Sequence, residues 1–470
     1  MLKPLFLIIV YLIDEGGEMM DYLYGRALLK QEIPEKYWPE LEQADVKTLS
    51  GVIEQGGKWL CRRCQSVVQP IEPNYCLTCG EAACGYCTQC LQMGKVKRCS
   101  TFYHVPEPNK FPPLSCSQLA WQGTLSEQQA TAAQDIIETI QQRQTRLLWA
   151  VAGAGKTEML FKGIDYALQQ GLRIGLASPR VDVCLELAPR LQSAFPDHPV
   201  ALLYGDMEEP YQYRQLTIAT THQLFRFQEA FDVLIIDEID AFPYHNDRTL
   251  QTATQKARKP ESALIYLSAT PDQRMQRQVK RGKLLATILP ARYHAHPLPV
   301  PIGKRCGNWE TALLNGTTNI ILRKMTELLN QNRCFLVFVP NIQWVLKWEQ
   351  QLLETFPEAT FAVVYSSDPE RKEKVLKMRE GKLDFLISTT ILERGVTFKN
   401  IDVLVVGSDD RIFTESSLVQ IAGRAGRSPQ FPTGDVIYYY TQWTIAMKRA
   451  IKQIKTMNQL ARKRGLINDD

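Results

Sequence analysis

With 470 residues the chain has room for about three domains, and 55 Lys plus Arg against 50 Asp plus Glu leave a formal charge of only +5. That balance excludes binding to a polyanion through overall charge, so any nucleic-acid affinity must come from local patches. Eight of the twelve cysteines fall between Cys61 and Cys99 in a chain of otherwise ordinary soluble composition, which excludes a secreted disulfide scaffold and points to metal in a reducing cytoplasm.

The N-terminal segment, 1–55, starts with Lys3 and an apolar run from Leu5 to Ile13 that looks like a short signal-peptide core. Nine apolar residues cannot cross a bilayer, and no small-residue cleavage site follows. Three readings stay open for residues 1–18: a start set upstream of a true one at Met19 or Met20, a buried strand, or a weak membrane contact. Residues 20–55 read as mixed and moderately helical, with no recognisable chemistry.

A cysteine-rich module is expected over 56–105. Cys61-x-x-Cys64 and Cys76-x-x-Cys79 are separated by eleven residues, and four thiolates from two such turns can close a tetrahedron around Zn²⁺. A closed four-sulfur site is structural, because no position stays open for water. Cys84, Cys87, Cys90 and Cys99 suffice for a second zinc, but their spacing is less standard, so one or two ions and cross-ligation between the sets remain open. Arg62, Arg63, Lys95, Lys97 and Arg98, interleaved with Tyr86, Phe102 and Tyr103, suit single-stranded nucleic acid or equally a solvated basic face over core aromatics.

A proline-rich join, Pro106 to Pro113, marks the next boundary, and a first α/β domain is expected over 118–290. Ser126 is placed to cap a helix running to about Arg143, and Gln129 sits where an adenine-reading glutamine would. The apolar run Leu147 to Ala150 then ends in a glycine-rich turn. Gly153, Ala154 and Gly155 would close backbone N–H groups on phosphate oxygens, Lys156 would reach the terminal phosphates, and the Thr157 hydroxyl would hold Mg²⁺. Ala150 stands where the first glycine of such a loop is usual, which suits helicase-like ATPases better than kinases.

Short apolar strands are expected near 173–177, 216–219, 233–236 and 263–267, alternating with helices as in a doubly wound parallel sheet. The third ends in Asp237-Glu238-Ile239-Asp240. Asp237 would hold Mg²⁺ through its water shell, and Glu238 would orient and deprotonate the attacking water. Ser268-Ala269-Thr270 ends the next strand, placed to link the γ-phosphate to a bound polymer. A proline-rich linker, 291–302, follows; its His294 and His296 read as a packed connection rather than a metal pair.

A second α/β domain is expected over 303–470, with strands at 334–339, 360–364, 385–388 and 403–406 and no phosphate loop of its own. It carries Thr389 to Val396, with Gly395 in the nucleotide-binding set, and Gln420 to Arg427. Arg424 and Arg427, three apart, are expected on one helix face, reaching across a cleft to a triphosphate on the other domain. Flanking Gly423 and Gly426 argue for close approach. From Val436 to Asn468 there is no acidic residue, and Lys448, Arg449, Lys452, Lys455, Arg462, Lys463 and Arg464 make a basic C-terminal helix.

Taken in order, Ala150 to Thr157, Asp237 to Asp240, Ser268 to Thr270 and Gln420 to Arg427 resemble superfamily 2 helicases and translocases over roughly 120–445. The fold expected is therefore α/β: two RecA-like parallel-sheet domains in tandem behind a small zinc-binding module. Asp240-Ala241-Phe242-Pro243, Ser178 to Val183, Ala291 to His294 and the N-terminal cysteines further resemble the ComFA family of late-competence ATPases of Gram-positive bacteria. That resemblance implies an ATP-driven motor, with ATP, Mg²⁺ and Zn²⁺, moving single-stranded DNA at the cytoplasmic face of the membrane. Its implied partners are a membrane DNA-channel protein and other competence proteins; oligomeric state stays open. Two alternatives remain: a replication-restart-type duplex unwinder, and a zinc-dependent scaffold whose nucleotide site only sets a conformation.

Overall fold

The computed structural model describes residues 15–69, 75–82, 84–205, 207, 210–314, 319–396, 398–428 and 430–467. The apolar run from Leu5 to Ile13, with its three readings, lies outside the described residues. The chain opens with α1 (Glu15–Leu23), β1 (Arg26–Leu29), a single-turn α2 (Trp38–Leu41), β2 (Lys47–Ser50), β3 (Val52–Gln55), β4 (Lys58–Cys61), β5 (Val67–Val68) and β6 (Thr101–Val105). The stretch 20–55 is thus mixed, as expected: short helical turns at Lys30–Glu32, Glu35–Tyr37 and Trp38–Leu41 alternate with the strands β1, β2 and β3. β6 lies between β1 and β2 in one antiparallel sheet, so Phe102 faces both Leu29 and Leu49. A division at residue 55 would cut this sheet in two; the segment and the cysteine module form one body. Only the long-range return of β6 reveals this, and no local window of sequence contains it.

That body is locked onto the next domain by buried charge. Glu107, inside the proline-rich join, pairs with Arg173 with both side chains fully buried, and the Tyr213 hydroxyl donates to the same carboxylate. Glu32 accepts from Arg63 of the cysteine module and, at 3.0 Å, from Arg226. Lys256 donates to the Arg62 carbonyl at 3.0 Å.

The first motor domain contains α3 (Glu127–Gln141), β7 (Thr145–Ala150), α4 (Lys156–Gln169), β8 (Ile174–Ser178), α5 (Val181–Ala194), β9 (Val200–Leu203), β10 (Leu216–Thr220), β11 (Phe231–Ile236), α6 (Arg248–Ala257), β12 (Arg258–Ser268), α7 (Gln273–Lys280) and β13 (Leu285–Leu289). Its seven strands are parallel in the order β13-β7-β12-β11-β8-β10-β9. The second contains β14 (Ile302–Arg305), α8 (Trp309–Leu314), α9 (Ile320–Asn330), β15 (Cys334–Phe338), α10 (Ile342–Thr355), β16 (Phe361–Val364), α11 (Arg371–Arg379), β17 (Phe385–Ser388), β18 (Ile401–Val406), α12 (Glu415–Ala422), β19 (Val436–Tyr440) and α13 (Ile445–Lys463), with the parallel order β14-β19-β18-β15-β17-β16. Every expected strand is present. The unexpected ones include the edge strands β9, β13 and β14: β13 and β14 are interrupted by polar residues or glycine, and β9 is an apolar run of only four residues. The basic helix α13 also serves as a strut to the first domain: Gln453 donates to the Ala269 carbonyl at 2.8 Å and Arg464 to that of Ile288 at 2.7 Å.

Removing one partner of a buried ion pair strands the other charge away from water. Glu107→Ala should therefore lower the unfolding free energy in urea by about 3–5 kcal/mol. Lys110→Ala, which breaks the exposed pair with Asp21 and a cation–π contact with Tyr24 at 4.4 Å, should cost about 0–1 kcal/mol. Equal midpoints for the two variants would contradict the buried-lock reading.

Candidate functional site

The loop between β7 and α4 turns through two left-handed positions, Gly153 (φ +83°) and Gly155 (φ +73°), which L side chains rarely adopt. A Cβ on Gly155 would also collide with the amide of Gln129. Gln129 donates from Nε2 to the Ala154 carbonyl at 2.9 Å and accepts the Ser126 N–H at 2.8 Å. It thus closes the helix cap and braces the phosphate loop. In this conformation the amide of Gln129 is engaged once at each end.

β11 delivers Asp237 and Glu238 to the same cleft. Desolvation pushes the Asp237 carboxyl up to about 6, Lys156 pulling the other way and Glu238 adding to the rise. Thr157 stands nearby on the first turn of α4, so a hydroxyl and a carboxylate that would gain from cationic company line the same cavity and fit a Mg²⁺ ion. Glu238 holds an unusual left-handed backbone (φ +52°), and its Oε2 is buried without a hydrogen-bond partner. An acceptor held that way fits a residue that orients water.

The second domain closes the cleft to a cavity of about 180 Å³, lined by the loop from Gly153 to Thr157, Asp237, Glu238, Gly395, Arg424 and Arg427. Here one expectation is corrected. α12 ends at Ala422, and Arg424 and Arg427 follow it in a tight turn instead of sharing a helix face. Gly426 is left-handed (φ +62°), and a Cβ on Gly423 would come within 2.6 Å of that of Ala152, so the turn sits directly on the phosphate loop. Arg424, 2% exposed, donates to the Glu393 carbonyl at 3.0 Å. Burial and neighbouring Arg427 push its pKa well down, and burial lowers that of Arg427 to about 10. Two desolvated guanidinium groups side by side favour a polyanion between them and the loop.

Sequence reasoning passed over Arg394. This side chain, nearly fully buried, pairs with Asp240 across the domain boundary and lies 3.6 Å from Glu238 Oε2. Burial works against both charges, yet the pair holds Asp240 well below the usual carboxylate range and Arg394 above its own. Ser268 (2.6 Å) and Ser416 (2.7 Å), with Thr270, complete the shell around Asp240. Arg292, in the linker, was also missed. It donates to the carbonyls of Gly426 and Ala425, anchoring the arginine turn. The only local signal for either was an arginine beside a glycine or aromatic in a motif chosen for other residues. His294 and His296 are 5.4 Å apart, and burial lowers His294 to about 4; they belong to neither cysteine cluster.

The cysteines group differently from the sequence-adjacent sets. Cys61 and Cys64 meet Cys87 and Cys90, whereas Cys76 and Cys79 meet Cys84 and Cys99. Sγ separations of 3.8 Å (Cys61–Cys90), 3.4 Å (Cys64–Cys87) and 3.9 Å (Cys76–Cys99) approach the edge of about 3.8 Å that a tetrahedron with Zn–S bonds of about 2.3 Å requires. The donor sets therefore fit zinc. The interleaving follows from a turn that pairs Tyr86 with Lys97, placing Cys84 beside Cys99 and leaving Cys87 and Cys90 to face the first knuckle. Arg63 and Phe102 are buried in the module, so they leave the candidate basic-aromatic face; Lys95 over Tyr86 (3.9 Å) and Arg98 over Trp59 (4.0 Å) stay on it.

Three family models match the chain: the competence protein ComFA N-terminal domain over 14–104, the type III restriction enzyme res subunit over 122–273, and the helicase conserved C-terminal domain over 319–429. The competence protein ComFA of Bacillus subtilis (strain 168) is 46% identical over 379 residues, covering 80% of this chain and 81% of that protein. The competence protein ComFA of Streptococcus pneumoniae is 37% identical over 443 residues, 94% and 99% of the two chains. Among solved structures, Dbp5 of S. cerevisiae bound to RNA and ADP BeF3 shares the two-domain fold at a TM-score of 0.51 and 14% identity, over 71% of this chain and 91% of that one.

The interleaved geometry has a direct signature in metal analysis. Cys61→Ser and Cys87→Ser should each deplete the same one of about two zinc equivalents, and Cys76→Ser and Cys84→Ser the other. A double variant Cys61→Ser/Cys87→Ser should then keep about one equivalent. Loss of both from that double variant, with the fold intact by circular dichroism, would contradict the pairing.

Proposed function

The chain belongs to the ComFA family of competence proteins and is a superfamily 2 helicase-type ATPase, and from that premise we propose that it translocates single-stranded DNA during uptake of transforming DNA. The observation that carries this reading is the divided site: phosphate loop and carboxylates on one domain, Arg424 and Arg427 on the other, around one cavity.

In the proposed cycle the backbone N–H groups of Gly153 to Gly155 and Lys156 hold the phosphates of ATP. Thr157 and Asp237 would hold Mg²⁺, which supplies charge neutralisation on the β- and γ-phosphates. Glu238 orients the attacking water and accepts its proton. Arg424 and Arg427 stabilise charge on the transferring phosphoryl group and lose that anion after hydrolysis, which relaxes the domain contact. Asp240, bonded to Ser268, Thr270 and Arg394, carries the change from the nucleotide side to the polymer side. Both four-cysteine sites have a structural role, since a Cys₄ set leaves no open metal position. We place the work at the cytoplasmic face of the membrane, against a DNA-channel protein and other competence proteins. No helix among the described residues is long and apolar enough to cross a membrane.

ATP hydrolysis measured with and without single-stranded DNA, duplex DNA and RNA tests the reading. Stimulation by single-stranded DNA is expected, abolished by Lys156→Ala and reduced by at least about 10²-fold in kcat by Glu238→Gln with ATP binding retained. Efficient unwinding of forked duplexes would favour the replication-restart alternative. ATP binding with no hydrolysis at any DNA concentration would favour the scaffold.

A further inference from the structure

α7 is not used by the nucleotide site. Residues 273–283 carry Arg274, Arg277, Lys280, Arg281 and Lys283 and no acid, all five are exposed, and α7 buries none of its residues. Among the described residues none of the five forms an ion pair; Arg277 makes only a long hydrogen bond to Gln273 within the helix. An acid-free helix can be a merely solvated face. This one instead forms the wall of a groove.

The groove, about 1020 Å³, runs between α7, α6 and the cysteine module. Arg274 and Gln278 line it from α7, Arg248, Gln251 and Gln255 from α6, and Gln65 from the first cysteine knuckle. At His245 and Asp272 it is continuous with the cleft between the motor domains, about 590 Å³, which passes over Asp240, Arg394 and Ser416. Phe242 stands on the shared side of that cleft 84% exposed, with Arg411 and Arg449 on the second domain opposite. The groove's own carboxylates are committed: Asp240 to Arg394 and the surrounding hydroxyls, Asp272 to the Met275 N–H at 2.7 Å as the cap of α7. Arg248 and Arg274 are left facing solvent with no acidic partner among the described residues.

We infer that this groove is a second stretch of the DNA track, resting on the motor reading above. A single strand leaving the interdomain cleft past Phe242 continues between α6 and α7 to the cysteine module. Its phosphates lie on Arg248 and Arg274, with Arg277 one turn further along the helix, and its unpaired bases face the amides of Gln251, Gln255 and Gln278. An unpaired strand is the occupant that fits, because base edges reach amides, and a ring stacks on Phe242, only when the bases are not in a duplex. The cysteine module is fixed to the first motor domain through Glu32, Arg226 and Lys256, so the groove travels with that domain. The first domain then keeps the longer grip on the strand while the second closes and opens upon it.

The test uses the full-length protein, fluorescently labelled oligo-dT from about 8 to about 30 nucleotides, and anisotropy over a range of salt. Affinity should keep rising with length beyond the shortest oligonucleotide that stimulates ATP hydrolysis. Arg248→Glu/Arg274→Glu should bind the longest oligonucleotide about tenfold more weakly, with a salt slope smaller by about 1.4, roughly 0.7 for each phosphate that is no longer neutralised. Both residues are exposed, so an unchanged melting temperature verifies the fold. The inference is overturned if affinity is already maximal at the shortest stimulating length, if the double variant binds the longest as wild type does, or if it weakens short and long alike. Preference for duplex over single strand of equal length would also overturn it. If no oligonucleotide of any length binds or stimulates hydrolysis, the motor reading itself falls, a result separable from all of these.

Discussion

The molecule depends on one ion pair, Asp240 with Arg394, formed across the junction of two domains and hidden from water. Such a pair tolerates burial better when its remaining polar atoms are compensated: Ser268, Thr270 and Ser416 bond Asp240 from both sides of the boundary, while Arg394 Nε and Nη1, without hydrogen bonds, face Glu393 at 3.5 Å and Glu238 at 3.6 Å. Asp240 lies on the wall of the interdomain cleft, and its partner Arg394 comes within 3.6 Å of Glu238 in the nucleotide cavity, so the pair joins the two cavities. Parting the domains would oblige Arg394 and Asp240 each to find water or another partner. The closed state is therefore set by chemistry at the cleft, and it can respond to what the cleft holds.

Nucleotide chemistry adds a second cross-domain constraint of opposite character. Around Arg394 gather the carboxylates of Asp240, Glu238 and Glu393; around the nucleotide cavity stand the guanidinium groups of Arg424 and Arg427. Desolvation lowers the pKa of both arginines, and Arg424 meets a backbone carbonyl instead of a carboxylate. One junction is thus held by ion pairs within the protein, and the other offers two desolvated guanidinium groups to an anion in the cavity. Arg292 ties the linker to the arginine turn, so the covalent connection between the domains is also an element of the site.

The cysteine module belongs to this machine through its attachment. Cys61, Cys64, Cys87 and Cys90 form a buried cluster whose turn supplies the Arg62 carbonyl to Lys256 and, through Arg63, shares Glu32 with Arg226. The other cluster is more exposed, with Cys79 at the surface. The first holds the module to the motor, and the second shapes its outer end.

Local chemistry was readable without coordinates. Gly153 and Gly155 require left-handed backbone, Lys156 and Thr157 follow at fixed spacing, and Asp237 and Glu238 end an apolar strand; each is a property of a few consecutive residues. The central strands were legible for the same reason, as unbroken apolar runs. The partners were not legible. Cys-x-x-Cys spacing names the pairs Cys61/Cys64 and Cys76/Cys79 but leaves open whether Cys87 pairs with Cys84 or Cys90 and which pairs share a tetrahedron, because that depends on where β6 and the Tyr86–Lys97 bridge bring the chain back. Arg394 looked like any arginine beside a glycine until the second domain placed it against Asp240, 154 positions earlier. Sequence by itself determined which side chains can bind phosphate, metal and water, since those capacities are local. Only the tertiary structure decided which of them meet, since a buried charge or thiolate takes its role from neighbours that the fold, and not the chain order, supplies.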